Sequence, residues 1–233
     1  MPLALLLWAG LAAAPYPAPD ELPNSQFFLP GATTGGISVA METMLDRRFH
    51  TVVRQRYDFS CGSAALATLL RFHYGIRASE SSVFNGMWAE GDRMQIRAKG
   101  FSLLDMRRYL GAIGLNAEGY RVTLDQIAKT RIPGIALIVT SGYNHFVVVK
   151  GLTANEVLVG DPSRGLLVLD RKEFEKSWPG LYFVITSAPD FGRSSFNRHS
   201  QWAGVGRGPL GSVLGRPIEM DGLRLALPGP GEF

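Results

Sequence analysis

The sequence predicts an α+β protein, with helices first and an antiparallel sheet second. Two observations carry this. Residues 61–74 form an apolar stretch stopped by Gly75, and two further helix starts carry capping residues at Ser102 and Thr123. From residue 135 the pattern changes to short runs of Val, Ile and Leu separated by turn residues, which read as strands. Helices gathered ahead of strands fit helices packed on an antiparallel sheet. With 233 residues, 46% hydrophobic and 19% charged, the chain can build one substantial core plus extensions.

The elements follow in order. Residues 1–18 hold an apolar run from Met1 to Ala14, about as long as a signal-peptide core and too short to span a bilayer. Ala12-Ala13-Ala14 supplies small residues for a cleavage site, so this segment reads as an export signal rather than a buried N-terminal helix. Residues 19–49 are linker and lead-in: 15–36 are rich in Pro and Gly, while 37–53 mix apolar and basic residues, as a helix or a strand would. The main domain is expected over 50–187. It begins with the helix 61–74, then a short helix at 81–88 followed by a loop. A helix from Ser102 to near Gly114 has Asp105 at the capping-box position. A strand over 116–121 and a short helix over 123–129 come next. Strands are expected at 135–139, 146–150, 157–159, 166–169 and 181–186. Residues 188–233 are rich in Gly and Pro with little periodicity and read as an extended or disordered tail.

Composition excludes several classes of function. One cysteine rules out an internal disulfide and any multi-cysteine metal site. His50, His73 and His199 lack metal-ligand spacing, so neither metal nor other cofactor is expected. The net charge of +4 sits in pairs such as Arg47-Arg48 and Arg107-Arg108 rather than in runs. With no aromatic-basic platform, this reads as solvated surface and not as a nucleic-acid site.

The residues that carry chemistry lie at four points. Cys61 stands where a loop enters an apolar helix. Unpaired N–H groups at a helix N-terminus favour a thiolate, the nucleophilic form. Gly62 allows close backbone approach, and Ser63-Ala64-Ala65 allow tight packing. His145 opens an apolar strand, and Asp161 closes the next, sixteen residues later. That separation is even, so a hairpin centred on residue 153 or 154 places both on one face, and a one-residue slip separates them. A base that reaches the thiol and is held by a third group is what nucleophilic catalysis needs. Gln55, six residues before Cys61, is a candidate oxyanion donor beside the Cys61 backbone N–H.

These residues resemble the bacteriocin-processing cysteine peptidases that remove double-glycine leaders. The likeness spans roughly 50–186 and rests on Gln55 with Cys61-Gly62, Ser102-Leu103-Leu104-Asp105 followed by Gly114-Leu115, Asn144-His145-Phe146 and Gly160-Asp161-Pro162. It implies a papain-like fold, a Cys61/His145/Asp161 triad and Gln55 at the oxyanion hole. Unlike the exporter-fused members, this sequence has no membrane-spanning helices and no phosphate-binding Gly-x4-Gly-Lys-Ser/Thr motif. It is similar to the stand-alone peptidases that accompany functional-amyloid and surface-protein export. The expectation is a periplasmic or secreted cysteine endopeptidase acting on an exported or surface-fibre polypeptide, after small or glycine residues, with an export complex as a possible partner. The alternatives are a non-proteolytic substrate-binding accessory and a thiol amidase or acyltransferase. Gly35-Gly36 in the linker also raises self-processing.

Overall fold

A computed structural model describes residues 25–28, 38–41, 43–140 and 142–205. The chain divides at Thr43 into two units. In the first, strands β1 (Ser25–Phe28) and β2 (Ser38–Met41) pair antiparallel, with Ser25 opposite Met41. The second begins with a short helix, α1 (Met44–Phe49). The lead-in at 37–53 thus holds a strand and a helix, one in each unit.

The second unit is organised around helix α2 (Cys61–His73), whose Leu66, Leu69 and Leu70 are wholly buried. Small residues at its start let neighbours close in: a Cβ at Gly62 would lie 2.9 Å from Met106 Cε and 3.2 Å from Phe101 Cβ. Past Tyr74 the chain turns at Gly75 in the left-handed region, which ends the helix as expected. Residues 79–98 depart from expectation. They form two helices, α3 (Glu80–Glu90) and α4 (Arg93–Lys99), where one short helix and a loop were predicted. The overlooked signal is Asp92, whose carboxylate accepts from the N–H groups of Met94 and Gln95. Helix α5 (Leu103–Ala112) begins at the predicted Ser102–Asp105 capping box.

Strand β3 (Ala117–Arg121) and helix α6 (Leu124–Thr130) precede four strands: β4 (Gly134–Thr140), β5 (Tyr143–Leu152), β6 (Glu156–Asp161) and β7 (Gly165–Asp170). Helix α7 (Arg171–Ser177) then leads to β8 (Leu181–Ile185). The six strands form one antiparallel sheet in the order β3-β8-β4-β5-β6-β7. Both of its faces are covered. Phe146 and Val148 of β5 join the cluster built on α2, while Val147 and Val149 join the cluster containing Leu124, Ile127 and Phe174. That double burial is why β5 reads as a continuous apolar run. Helix α7 was not predicted, because its sequence is almost entirely polar; Asp170 caps it and Phe174 anchors it in the core.

The extended tail expected from residue 188 is contradicted over its first part. Residues beyond β8 form α8 (Pro189–Ser195) and α9 (His199–Gly204), and Ser195 and Phe196 are buried. Helices this short lack a readable period and are held by tertiary contact. Residues 1–18, read above as an export signal, the Gly35-Gly36 pair and the chain after residue 205 lie outside the described residues. Replacing Ser102 with Ala removes one half of the α5 capping box and should cost about 1 kcal/mol, read as a lower urea midpoint at unchanged slope.

Candidate active site

The site lies where α2 and β5 begin and where β6 ends. Five helices, α3 to α7, have an N-cap side chain bonded to a first-turn amide. Helix α2 does not. Its N-cap, Ser60, is fully buried, and its hydroxyl donates to Tyr57 O at 2.9 Å rather than accepting from the helix. Among the described residues, no side chain therefore caps the first-turn N–H groups, that of Cys61 included.

The loop before Cys61 is fixed at several points. Val53 N donates to Thr68 Oγ1 on α2 at 2.8 Å, and Gln55 N donates to Pro162 O at 3.0 Å, beside Asp161. Tyr57 O accepts from Ser60 N, Ser60 Oγ and Gln55 Nε2, curling residues 55–60 into a tight turn. An amide nitrogen carries two hydrogens. The 3.2 Å bond to Tyr57 O uses one, leaving the second Gln55 hydrogen for another acceptor.

His145 and Asp161 are brought together by a register that changes partway along the hairpin. Near its turn, Leu152 faces Val157 and Gly151 faces Leu158, pairs an odd number of residues apart. Continued to the end, that register would put His145 and Asp161 on opposite faces. A bulge at Lys150 shifts it, so that Val149 faces Val159 and Val148 faces Gly160, an even separation. His145 Nε2 and Asp161 Oδ1 consequently meet at 2.9 Å. The expected one-face arrangement is present, and the bulge is what restores it.

Asp161 is buried and well supplied with donors. Ser163 N and Oγ reach Oδ1 at 2.8 and 2.7 Å, and Arg164 N at 3.3 Å. This is an Asx turn, so the residue starts a turn and holds the histidine at once. Ser163 was missed in the sequence, where Asp-Pro-Ser reads as turn composition alone. Burial alone would raise the Asp161 carboxyl, but the bonds from His145 and Ser163 outweigh it and hold the group below its ordinary value. Burial alone would lower His145; hydrogen bonds to Asp161 and to Cys61, and the electrostatic pull of both, raise it to about 9. With Nε2–H given to a carboxylate, Nδ1 is the nitrogen left for the thiol. Gln55 approaches the same site through its backbone bond to Pro162.

This is the architecture of papain-like cysteine-peptidase domains. The chain belongs to the Peptidase C39 family, which it matches over residues 50–190. It is 41% identical over 157 residues to the probable functional amyloid protease FapD of Pseudomonas aeruginosa, covering 67% of this chain and 69% of that protein. It is likewise 41% identical over 145 residues to the corresponding protein of Pseudomonas fluorescens, covering 62% of this chain and 64% of the relative. Among solved structures, the peptidase domain of Streptococcus ComA, a bi-functional ABC transporter, superposes with a TM-score of 0.51 at 20% identity, covering 59% of this chain and 98% of that one.

The His145–Asp161 bond sets a pH dependence. His145 stays protonated to about 9 in the folded protein against 6.5 when free, so its contribution to stability is complete below about pH 6.5 and is lost as pH rises through 9. Replacing Asp161 with Asn should move the His145 titration, followed by NMR of the ring, down from about 9 toward or below 6.5.

Proposed function

We propose that the protein is a cysteine endopeptidase that processes an exported polypeptide. The observation that carries this reading is one imidazole held between a buried carboxylate and the cysteine at the uncapped start of the central helix. The Cys61 thiolate attacks a peptide carbonyl carbon. The oxyanion that forms is received by the Cys61 backbone N–H and the free Gln55 Nε2 hydrogen. As the C–N bond breaks, the His145 imidazolium gives its Nδ1 proton to the leaving amine. Water, deprotonated by His145, then attacks the thioester and releases Cys61 as thiolate, the proton passing back to His145. Asp161 keeps Nε2 protonated throughout, which holds the ring in its working tautomer.

The substrate class rests on kinship. Two relatives at 41% identity are named as probable functional amyloid proteases, so the substrate proposed here is a component of a surface-fibre export system. Residues 1–18, read as an export signal, would deliver the enzyme to the periplasm or beyond. Among the described residues, no helix is long and apolar enough to cross a membrane. Cleavage after small residues follows the family resemblance.

The test uses synthetic peptides with Gly-Gly or Ala-Gly before the scissile bond, and mass spectrometry of the products. The wild type should cut on the carboxyl side of the small residue, and Cys61→Ala should not. Replacing Gln55 with Ala should lower kcat roughly 10²–10³-fold with little change in KM, as loss of an oxyanion donor does. Cutting by Cys61→Ala at the wild-type rate would refute a thiol mechanism.

A further inference from the structure

The Lys150 bulge decides whether Asp161 can reach His145, so what holds the bulge holds the site. Strand β4 does not, since its pairing with β5 stops at Gly134 opposite Val149. Beyond that point Asn197, between α8 and α9, supplies partners to β5. Its backbone N–H donates to Lys150 O at 3.0 Å, its Oδ1 accepts from Leu152 N at 2.7 Å, and its Nδ2 donates to Leu152 O at 2.9 Å. Three bonds therefore grip the backbone at and just past the bulged residue.

The contact is built on both sides. Asn197 sits at φ +60°, a left-handed conformation uncommon outside glycine but tolerated by asparagine. Opposite it is Gly151, where a Cβ would lie 2.2 Å from Asn197 Oδ1 and 3.1 Å from Trp202 Nε1. Any side chain at 151 displaces Asn197. The segment carrying Asn197 is itself tied down: His73 of α2 bonds Ser195 Oγ through Nδ1 at 2.7 Å, and Phe196 is buried beside Val149 and Val157 in the same cluster. Ser195, Phe196, Asn197 and Trp202 lie beyond residue 190, where the family match ends.

We infer that Asn197 is a positioning residue: it clamps the Lys150 bulge and so keeps β6 in the register that delivers Asp161 to His145. The inference rests on the cysteine-peptidase reading of that site. Its logic is one of slack. Strand β5 is pinned at the His145 end by an unbroken register with β4, from Gly134 opposite Val149 to Thr140 opposite Tyr143. If the bulge straightens, β5 cannot slide, so β6 moves by one residue and Asp161 turns to the other face. The bulged residue serves the site a second time. Its fully buried side chain donates to Thr51 O, at the root of the loop that carries Gln55. Burial pushes the Lys150 amine down to about 7, and Arg198 adds repulsion. A neutral amine still donates, so the tether to Thr51 survives loss of the charge.

Two variants test the clamp from opposite sides. Asn197→Gly keeps the left-handed backbone and removes the side-chain bonds; Gly151→Ala leaves Asn197 in place chemically but drives it off the strand. Each is compared with wild type by melting temperature, by NMR titration of the His145 ring, and by kcat and KM on a peptide that the wild type cuts. Both should lower the His145 titration by a unit or more from about 9, and should lower kcat about tenfold or more through misplacement of the base. Asn197→Asp, which keeps the acceptor for Leu152 N, should recover part of both. If one variant does not fold, the other carries the same comparison. A fall in melting temperature with the His145 titration and kcat unmoved would reduce Asn197 to a structural residue and overturn the inference. Absence of peptidase activity in the wild type would instead count against the enzyme reading, while the His145 titration would still report on the clamp.

Discussion

The 2.9 Å hydrogen bond between His145 Nε2 and Asp161 Oδ1 does more than hold two side chains together. It decides which ring nitrogen faces Cys61 and keeps that ring protonated well above its ordinary range. Everything around it serves the placement of Asp161. Ser163 and Arg164 saturate one carboxylate oxygen with donors, so the group stays ionised although buried. The bulge in β5 turns an odd register into an even one, without which the two residues would never share a face.

The nucleophile depends on a different economy of hydrogen bonds. A helix start normally has its free amides covered by a side chain, and five of the described helices follow that rule, though α8 and α9 do not. Helix α2 breaks it because Ser60 turns its hydroxyl back into the preceding loop. That one rotation shapes the turn that carries Gln55 and leaves the first amides of α2 uncapped. The surrounding core bears the cost. Helix α2 is buried along almost its whole length, so packing rather than capping stabilises it.

Much of this was legible in the sequence, for reasons that differ by element. The buried helix and the apolar strands announce themselves because burial on every side demands continuous apolar residues, as in Phe146-Val147-Val148-Val149. Caps at Ser102 and Thr123 are local chemistry and need no tertiary knowledge. The even spacing of His145 and Asp161 could be read, but the bulge that makes it effective could not, since it depends on Asn197 arriving from a later part of the chain. Helix α7 and the pair α8–α9 were missed for the same reason: Phe174 and Phe196 are single anchors, and one anchor makes no period. Ser163 and Thr68 support the site through short polar bonds whose composition looks like any turn or any helix.

The central claim is that Cys61 and His145 act as a coupled pair. The direct measurement is the rate of Cys61 alkylation by iodoacetamide as a function of pH, in wild type and in His145→Ala. The account predicts that Cys61 reacts faster than an ordinary free thiol and that this excess is lost when His145 is removed. Ordinary thiol behaviour in both proteins would contradict it.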